Sequence, residues 1–314
     1  MESIVKLGRL SGVFNILKPP GMSSHDVVKF IRENLKDTKV GHGGTLDPGA
    51  AGVLPVLVGR ATKLSAFLLD YDKLYRGEVF LGKTTTTDDS AGELLTELPV
   101  PAINEQSLKR ILKGFVGKLE QIPPLFSALK YKGKKYLDYA RKGENIAPKP
   151  RTVQIYKCEL VKFTPPNRVM LDIHCSKGTY IRSLARDLGE KIGCGGHLSF
   201  LVRLSTGPFK IENSITLEEF MEAAEKGLLS TVINTPDSCL PHFKNITLGG
   251  RELQRFLNGV KYKLNPSFLE TGFCSPGEYF KVYNRCGACV ALGQLVQGTN
   301  ALYLQPVIIL SEKI

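Results

Sequence analysis

Five glycines fall within the twelve residues 41–52, GHGGTLDPGAAG, and this stretch limits the local fold more than any other part of the chain. Glycine permits tight turns and close approach between the backbone and a ligand. Pro48 fixes its own φ and pushes the preceding residue, Asp47, toward an extended conformation. The apolar run at residues 53–58 then predicts buried structure. The sequence therefore predicts a stiffened loop that holds one carboxylate beside the core.

Two interpretations of Asp47 stay open on spacing alone. A single acid on a glycine-rich loop, next to a core segment, suits a site of chemistry. An aspartate in a tight turn also commonly accepts backbone hydrogen bonds and has no other role. Both interpretations fit the same twelve residues.

Length and composition indicate a globular protein with a polyanionic partner. A chain of 314 residues accommodates one large domain and a small one. The net charge of +12 favours nucleic acid or an anionic membrane surface as the partner. The chain lacks a run of ~18 apolar residues long enough to span a membrane, and its first residues lack the apolar core of a secretory signal. Seven scattered cysteines predict reduced thiols, so we expect a cytoplasmic protein.

Four motifs resemble those of the TruB family, the tRNA pseudouridine-55 synthases, and they follow the family's order. They are residues 41–55, similar to GHxGTLDPxAxGVLP, GVFNILKPPG at residues 12–21, DKLYR at residues 72–76 and SKGTYIR at residues 176–182. Gly43 stands where many relatives have Thr or Ser, and Gly49 where a Leu is common. Four motifs in order are far more specific than one.

The resemblance implies both the fold and the reaction. It predicts an α/β catalytic domain with the pseudouridine synthase fold, built on a mixed, largely antiparallel central sheet. It implies that a uridine in the T loop of tRNA, at position 55, is isomerised to pseudouridine without a metal or any other cofactor. It assigns the catalytic role to Asp47, since a carboxylate can act as a nucleophile toward the sugar or the base, or as a base at the sugar.

Five further residues belong to the substrate site by the same resemblance. Arg182 is expected to pair with Asp47, Tyr75 to stack on the base, His42 to fill the space left by the flipped uridine, Leu201 to line the uracil pocket and Lys18 to anchor the Asp47 loop. The residues alone leave plainer roles open. Arg182 would then form a surface ion pair, Tyr75 would be a half-buried strand aromatic, and His42 a hydrogen-bonded loop histidine.

Residues 121–136 interleave Tyr and Phe with lysines, among them Lys130. A charge run of this kind is usually a solvated face. It also suits an RNA contact, where lysines meet phosphates and aromatic rings meet bases. The segment resembles the family's PPxxSALKxxGKxxYxxAR stretch. This implies a basic insertion at about residues 120–150 that folds over the RNA, with Lys130 among its contacts.

A change in composition predicts a domain boundary near residue 240. We therefore predict a catalytic domain at residues 1–240 and a small, mostly-β domain at residues 241–314. The second unit resembles a PUA domain, which is an RNA-binding module. We accordingly expect tRNA, through its T stem-loop, as the partner of a monomer that needs no membrane and no obligatory protein partner.

Local signals place several helices and strands. Ser24 is the predicted N-cap of one helix, and Thr179 of another that carries Arg182 in its first turn. Thr216 and Glu219 predict a capping box. Residues 83–92 are predicted to form a polar loop, and alternation predicts strands at 75–81, 153–163 and 169–175.

Two motif matches are interpreted as accidental. Residues 77–84 fit the phosphate-loop pattern GxxxxGK[ST], but strand-like residues fill the pattern and threonines follow it, which is a poor start for a helix. Cys286 and Cys289 form a lone CxxC, and Cys274 does not complete a zinc spacing.

Three rival functions are kept. A related synthase would modify ribosomal RNA under the control of a guide RNA. A non-catalytic protein would bind or fold RNA without changing it. A phosphate-loop NTPase would hydrolyse ATP. Incubation of the pure protein with unmodified tRNA separates the first two from a tRNA synthase, and an ATP hydrolysis assay tests the third.

Overall fold

The structure is a computed structural model. It describes residues 10–35, 37–127, 129–131, 133–136, 139, 146, 148–264, 275–299 and 301–311.

Strands dominate the described part of the chain. In chain order they are β1 (Gly12–Lys18), β2 (Val40–His42), β3 (Ala51–Val58), β4 (Lys73–Leu81), β5 (Lys83–Thr85), β6 (Leu94–Glu97), β7 (Gly117–Gln121), β8 (Lys130–Tyr131), β9 (Lys134–Lys135), β10 (Arg151–Thr164), β11 (Arg168–Cys175), β12 (Gly196–Thr206), β13 (Phe209–Lys210), β14 (Lys244–Thr247), β15 (Tyr262–Lys263), β16 (Tyr279–Tyr283), β17 (Cys289–Gln297) and β18 (Leu302–Ile309). The α-helices are α1 (Ser24–Asn34), α2 (Ser65–Asp70), α3 (Glu105–Lys113), α4 (Ile181–Ile192), α5 (Leu217–Glu225), α6 (Leu229–Val232) and α7 (Gly250–Leu257).

The central sheet has nine strands in the order β1-β3-β12-β4-β11-β10-β7, with β2 paired to β3 and β13 paired to β12. Strands β3 and β12 pair in parallel, where Val202 lies opposite Ala51. The other described neighbours in this sheet pair antiparallel. The predicted mixed, largely antiparallel sheet is therefore confirmed.

One face of the central sheet carries the main core. Strand β4 alternates strictly, with Tyr75, Gly77 and Val79 buried and Arg76 and Glu78 half-buried. Side chains on successive strand residues point to opposite faces, so this alternation places Tyr75 on the core face. Helix α4 packs against β12 and β4 on that face, with Leu184 and Leu188 in the same apolar cluster as Tyr75. The core face is thus where the predicted site residues of β4, β12 and α4 meet.

A second sheet begins at Lys244 and has the strand order β14-β16-β17-β18-β15. It has its own core, in which Phe256 of α7 packs with Phe280 and Leu304. A third apolar cluster joins the two sheets. It contains Leu57 and Leu68 from the first part of the chain together with Leu292 and Leu310 from the last part. Strands β14 and β15 are absent from the sequence prediction, because each is only a few residues long.

Two predicted caps are wrong, each by one residue. Helix α1 is capped by Ser23, whose hydroxyl accepts a hydrogen bond from the Asp26 backbone N–H in a capping box. Thr179 does not cap α4, because its hydroxyl donates to the Ser176 carbonyl and Tyr180 holds the cap position. The capping box of Thr216 and Glu219 is confirmed.

The segment at residues 83–92 is only partly a loop. Its first residues form β5, which pairs with β6 in a small hairpin. The phosphate-loop match at residues 77–84 runs along β4 into β5 and opens no helix, which confirms that the match is accidental. None of the helices in the described ranges is long and apolar enough to cross a bilayer.

Candidate active site

The Asp47 loop joins β2 to β3, and two of its glycines are required by close packing. A Cβ on Gly43 would lie 2.5 Å from Leu68 Cδ1, which is a reason for the departure from Thr or Ser at this position. A Cβ on Gly52, at φ +109°, would lie 2.3 Å from the carbonyl oxygen of Arg203. Glycine adopts such a φ at no steric cost and lets another backbone approach. The loop therefore lies directly against α2 and β12.

The residues on either side of Asp47 are fixed by hydrogen bonds from neighbouring elements. The Leu46 N–H donates to the Ser24 hydroxyl at 2.8 Å, and that hydroxyl donates to the Leu46 carbonyl at 3.0 Å. The Pro48 carbonyl accepts from the Gly21 N–H at 2.8 Å. Ser24 therefore does not cap the helix; its hydroxyl group binds the loop at Leu46. The backbone at Asp47 has little freedom as a result.

Arg182 forms an ion pair with Asp47, with 2.9 Å between Nε and Oδ2. The Arg182 side chain is 6% exposed, whereas that of Asp47 is 43% exposed. Two carbonyls accept hydrogen bonds from its remaining nitrogens, those of Thr87 at 3.2 Å and Phe126 at 3.1 Å. The Arg182 guanidinium group is therefore held in place in the interior, whereas the Asp47 carboxylate that it contacts is accessible from outside.

Two opposing effects set the pKa of Asp47. Burial of the group raises its pKa and is the larger effect, while the Arg182 charge lowers it. Asp89 adds a second negative charge nearby, with its Oδ2 lying 3.7 Å from Arg182 Nη1. Asp89 is itself held by the Thr87 hydroxyl and by the Ala91 N–H. The pKa of Asp47 therefore lies above its usual value, because burial outweighs the charge of Arg182.

Tyr75 and Leu201 lie on the same face of neighbouring strands. Leu201 of β12 is opposite Gly77 of β4, and Tyr75 is opposite Arg203, two residues further along. Both side chains are buried in the main apolar cluster. Burial raises the pKa of Tyr75 and outweighs the opposing charge of Arg203, so the phenol stays protonated. The two side chains therefore lie together in the main apolar cluster.

His42 ends β2, at the start of the loop. Its Nδ1 accepts a hydrogen bond from the Gly44 N–H at 3.3 Å. Burial lowers the pKa of His42, and the Arg203 charge lowers it further, so the ring is neutral near pH 7. A neutral, half-buried ring at this place suits contact with a base rather than with a phosphate.

Lys18 ends β1 and is fully buried. Its ammonium group donates to the carbonyls of Pro19, Met22 and Pro48, at 2.8, 2.5 and 3.2 Å. Burial lowers the pKa of Lys18 to about 8. The bond to Pro48 ties this cation to the residue after Asp47, as its expected anchoring role requires.

The insertion leaves and rejoins the sheet at one place. Gln121 at the end of β7 lies opposite Arg151 at the start of β10, so the residues between them extend from a single edge of the sheet. Lys130 lies on the short strand β8, and its side chain is outside the described residues. The Phe126 carbonyl, at the base of the insertion, is the one bound by Arg182.

Arg203 and Asp89 are site residues that the sequence analysis does not predict. Arg203 follows two residues after Leu201 and shares its face of β12, where an apolar residue would be expected. A charged residue in phase with buried positions of a strand is a usable signal, since such charges are rarely buried without partners. Asp89 gives no comparable signal, because it lies in a polar turn 93 residues before Arg182.

Among the described residues, no cluster of three or more His, Cys, Asp or Glu side chains could hold a metal ion. Cys286 is exposed and Cys289 half-buried, both as free thiols. Cys274 lies outside the described residues.

Comparisons with known proteins identify the family. A model described as the TruB family pseudouridylate synthase N-terminal domain matches residues 32–181. One described as the tRNA pseudouridylate synthase B C-terminal domain matches residues 182–240. The tRNA pseudouridine synthase B of Caldanaerobacter subterraneus subsp. tengcongensis is 42% identical over 284 residues, covering 90% of this chain and 95% of the relative. The chain belongs to the TruB family of pseudouridylate synthases.

Other relatives and one solved structure extend the comparison. The tRNA pseudouridine synthase B of Marinomonas sp. is 46% identical over 241 residues, covering 76% of this chain and 78% of the relative. A structure of an H/ACA ribonucleoprotein bound to a substrate RNA containing 2′-deoxyuridine aligns with a TM-score of 0.71 over 96% of this chain and 86% of that chain. At 23% identity this likeness concerns the fold alone. The TruB family and the pseudouridine synthase fold, both predicted from the motifs, are confirmed.

Proposed function

We propose that this TruB-family enzyme isomerises the uridine at position 55, in the T loop of tRNA, to pseudouridine, with Asp47 as the catalytic carboxylate. The observation that carries the proposal is the accessible Asp47 carboxylate, ion-paired at 2.9 Å to the buried Arg182 on a loop whose neighbouring residues are fixed. The relatives are named tRNA pseudouridine synthase B, and this name supports tRNA as the substrate.

The reaction needs one acid and no redox partner. The N1–C1′ bond of uridine breaks, the base turns, and a C5–C1′ bond forms, while C5 loses its proton and N1 gains one. Atoms and electrons balance without a cofactor. Asp47 supplies either a nucleophile, toward the sugar or the base, or a base at the sugar. Its fixed orientation on Arg182 favours each of these roles.

The target uridine must leave its stack in the RNA before Asp47 can reach it. Flipping a base out costs a few kcal/mol. We assign Tyr75 to stacking on the flipped base, Leu201 to the apolar wall behind it, and His42 to the space that the base vacates. The neutral ring of His42, at the start of the loop, suits that position.

The rest of the chain is assigned to binding tRNA. We propose a catalytic domain at residues 1–240, whose basic insertion at about 120–150, including Lys130, closes over the T stem-loop. Residues 241–314 form a PUA-like unit that adds RNA contacts. The net charge of +12 supports a phosphate-rich partner. The enzyme is proposed to act as a monomer without an obligatory protein partner.

Tritium release tests the proposal. The pure protein is incubated with a tRNA transcript carrying tritium at C5 of uridine, and the modified position is then mapped. We expect release of one tritium per tRNA from position 55, without guide RNA or added metal. Binding without release would instead favour an RNA-binding or RNA-folding protein. Release only after a guide RNA and a ribosomal RNA target are supplied would favour a guided synthase.

A further inference from the structure

Arg203 lies behind the Asp47 loop and is 1% exposed. We propose that it is a positioning residue for the isomerisation, one that fixes the loop carrying Asp47 in its reactive geometry. The inference rests on the proposed catalytic role of Asp47.

The guanidinium group of Arg203 bonds the loop on both sides of the acid. Its Nη2 donates to the Gly44 carbonyl at 3.1 Å and its Nη1 to the Thr45 carbonyl at 3.2 Å, just before Asp47. Its Nε donates to the Val53 carbonyl at 2.8 Å, where β3 follows the loop. One side chain thus spans the entry and the exit of the loop.

These hydrogen bonds take the place of the strand-to-strand backbone hydrogen bonds that the loop does not form. Residues 43–50 lie outside the strands, so the carbonyls of Gly44 and Thr45 have no ladder partner. Buried and partly buried carbonyls such as these need a donor. Arg203 supplies those donors from β12, where its backbone meets Gly52 in the parallel pairing with β3. Arg203 therefore fixes the position of the loop relative to the central sheet.

The partners of Arg203 are unusual for a buried arginine. Buried charges are normally paired with an opposite charge. Within the described residues, Arg203 forms no ion pair with a carboxylate; three of its hydrogen bonds go to backbone carbonyls, and its guanidinium group also bonds the Tyr75 hydroxyl. A residue needed only to fill the core would be apolar. A planar fork with several fixed donors is what three carbonyls in different directions require.

Lysine cannot reproduce this arrangement. Its single ammonium group carries the same charge, but it cannot reach three carbonyls spread along a guanidinium plane. Lys18 shows the contrast, since its three acceptors converge on one nitrogen. In Arg203→Lys we therefore expect the fold to survive and the loop to lose part of its anchoring.

Single-turnover kinetics with Arg203→Lys provides the main test. Misplacement of a reacting group by about 1 Å can cost ~10²-fold in rate, so we expect a loss of that order in single-turnover tritium release. Filter binding of the same tRNA should stay close to wild type, because Arg203 is buried and meets no solvent. Arg168→Lys is the matched control. Arg168 is an exposed arginine on β11 of the same sheet, paired with Glu78, and its replacement should leave the rate unchanged.

Chemical rescue adds a readout that a general loss of stability would not produce. Arg203→Ala should be slower than Arg203→Lys, and added guanidinium ion should restore part of its rate, whereas sodium chloride at the same ionic strength should not. In hydrogen exchange, peptides covering residues 43–52 should exchange faster in Arg203→Lys, while peptides covering β11 should not change.

Three results would overturn the inference. They are an Arg203→Lys enzyme with the wild-type rate, an Arg203→Lys enzyme that fails to fold, and a rate loss that simply follows the unfolded fraction. Asp47→Asn is measured alongside. If Asp47→Asn keeps its rate, the proposed function itself fails. If Asp47→Asn is inactive while Arg203→Lys is normal, only the role of Arg203 is lost.

Discussion

At the scale of single residues, the site combines an accessible acid with buried cations. Arg182 is anchored by two backbone carbonyls, so it cannot follow Asp47 if the carboxylate moves. The protein itself therefore orients the Asp47 carboxylate, and one face of the carboxylate stays free for the substrate. A mobile surface ion pair would give neither fixed geometry nor a defined pKa.

The first prediction concerns Arg182→Met and the acid limb of the rate. Burial raises the pKa of Asp47, and Arg182 lowers it more than Lys18 does, so removing Arg182 takes away the largest effect that opposes burial. Asp47 must be ionised to act, and its activity is lost as the pH falls through its pKa. We expect the acid limb of the single-turnover rate to move to higher pH in Arg182→Met. An unchanged acid limb would mean that Arg182 does not affect the ionisation of Asp47. Arg168→Met serves as the control.

The second prediction concerns Lys18 and the alkaline limb. The pKa of Lys18 is about 8, and its three carbonyl bonds require all three ammonium protons. We expect the rate to fall above pH 8, as the amine loses one donor to the loop. The lowered pKa does not reduce the stability of the fold above pH 8. Between pH 8 and 10.5 Lys18 is deprotonated in the folded chain but still protonated in the unfolded chain. The contribution of Lys18 to the free energy of unfolding therefore rises over this range. In Lys18→Arg, which cannot lose its proton in this range, the alkaline limb should disappear if the variant is active; an unchanged limb would contradict the assignment.

At the scale of secondary structure, helix α4 connects the acid to two distant segments. Arg182 binds the base of the insertion at the Phe126 carbonyl, and Ser183 and Arg186 bind it at the Ile122 carbonyl. Arg186 also pairs with Asp88 at 2.9 Å, next to the Asp89 that faces Arg182. The first turns of α4 therefore hold the insertion and the turn at residues 86–92 in one arrangement around Asp47.

The third prediction concerns Gln121, which fixes the start of α4. The side chain of this buried residue donates to the Tyr180 carbonyl at 2.9 Å and accepts from the Tyr180 N–H at 2.8 Å. Gln121→Ala leaves the Tyr180 N–H without its acceptor, while the Tyr180 carbonyl keeps the Leu184 N–H; the change should cost about 1–3 kcal/mol in the free energy of unfolding. We also expect a slower single-turnover rate, because Arg182 is two residues further on. Denaturant unfolding and tritium release measure the two effects. The neighbouring, exposed Glu120→Ala is the control, and equal effects of the two changes would contradict this role.

The sequence predicts long elements better than it predicts contacts between them. The strand at β4 and the helix at α4 follow from periodicity, and Asp47 and Arg182 follow from motif resemblance. Ser24 was expected to cap a helix, because a hydroxyl before an apolar run fits a cap, and only the tertiary structure shows that it bonds to Leu46. The positions of Arg203 and Asp89 depend on strand order and on a turn far away in sequence. Local pattern marks Arg203 only as a charge in phase with buried strand positions, and it gives no signal for Asp89.

At the scale of the whole molecule, the two sheets share an apolar contact. Phe67 of α2 packs edge-on against Phe243 and Tyr279, with ring centroids 5.5 and 5.3 Å apart. Lys63 also donates to the Ile309 carbonyl of β18. Removal of residues from about 240 onward would expose this surface, so point substitutions are better probes of the last part of the chain than truncation. The contact also ties α2, which packs under Gly43 of the Asp47 loop, to the second sheet.

The fourth prediction concerns salt. If tRNA binding neutralises ~4–6 phosphates, the affinity should fall by roughly 10²–10³ between 50 and 200 mM salt. The net charge of +12 motivates the estimate. Filter binding across a salt series measures the slope. A flat response would contradict a binding surface dominated by phosphate contacts, whereas the rate of the bound complex should depend on salt only weakly.

The central claim, that Asp47 is the catalytic carboxylate, is tested most directly by single-turnover tritium release with Asp47→Asn. The substitution keeps the volume and the loop, and Asn also forms such turns. The measurement uses saturating enzyme, filter binding of the same tRNA, and Asp70→Asn, an exposed aspartate paired with Lys177, as the matched control. We predict near-normal binding, a normal rate for Asp70→Asn, and for Asp47→Asn a loss of at least ~10⁴. A rate for Asp47→Asn within about tenfold of wild type would contradict the claim.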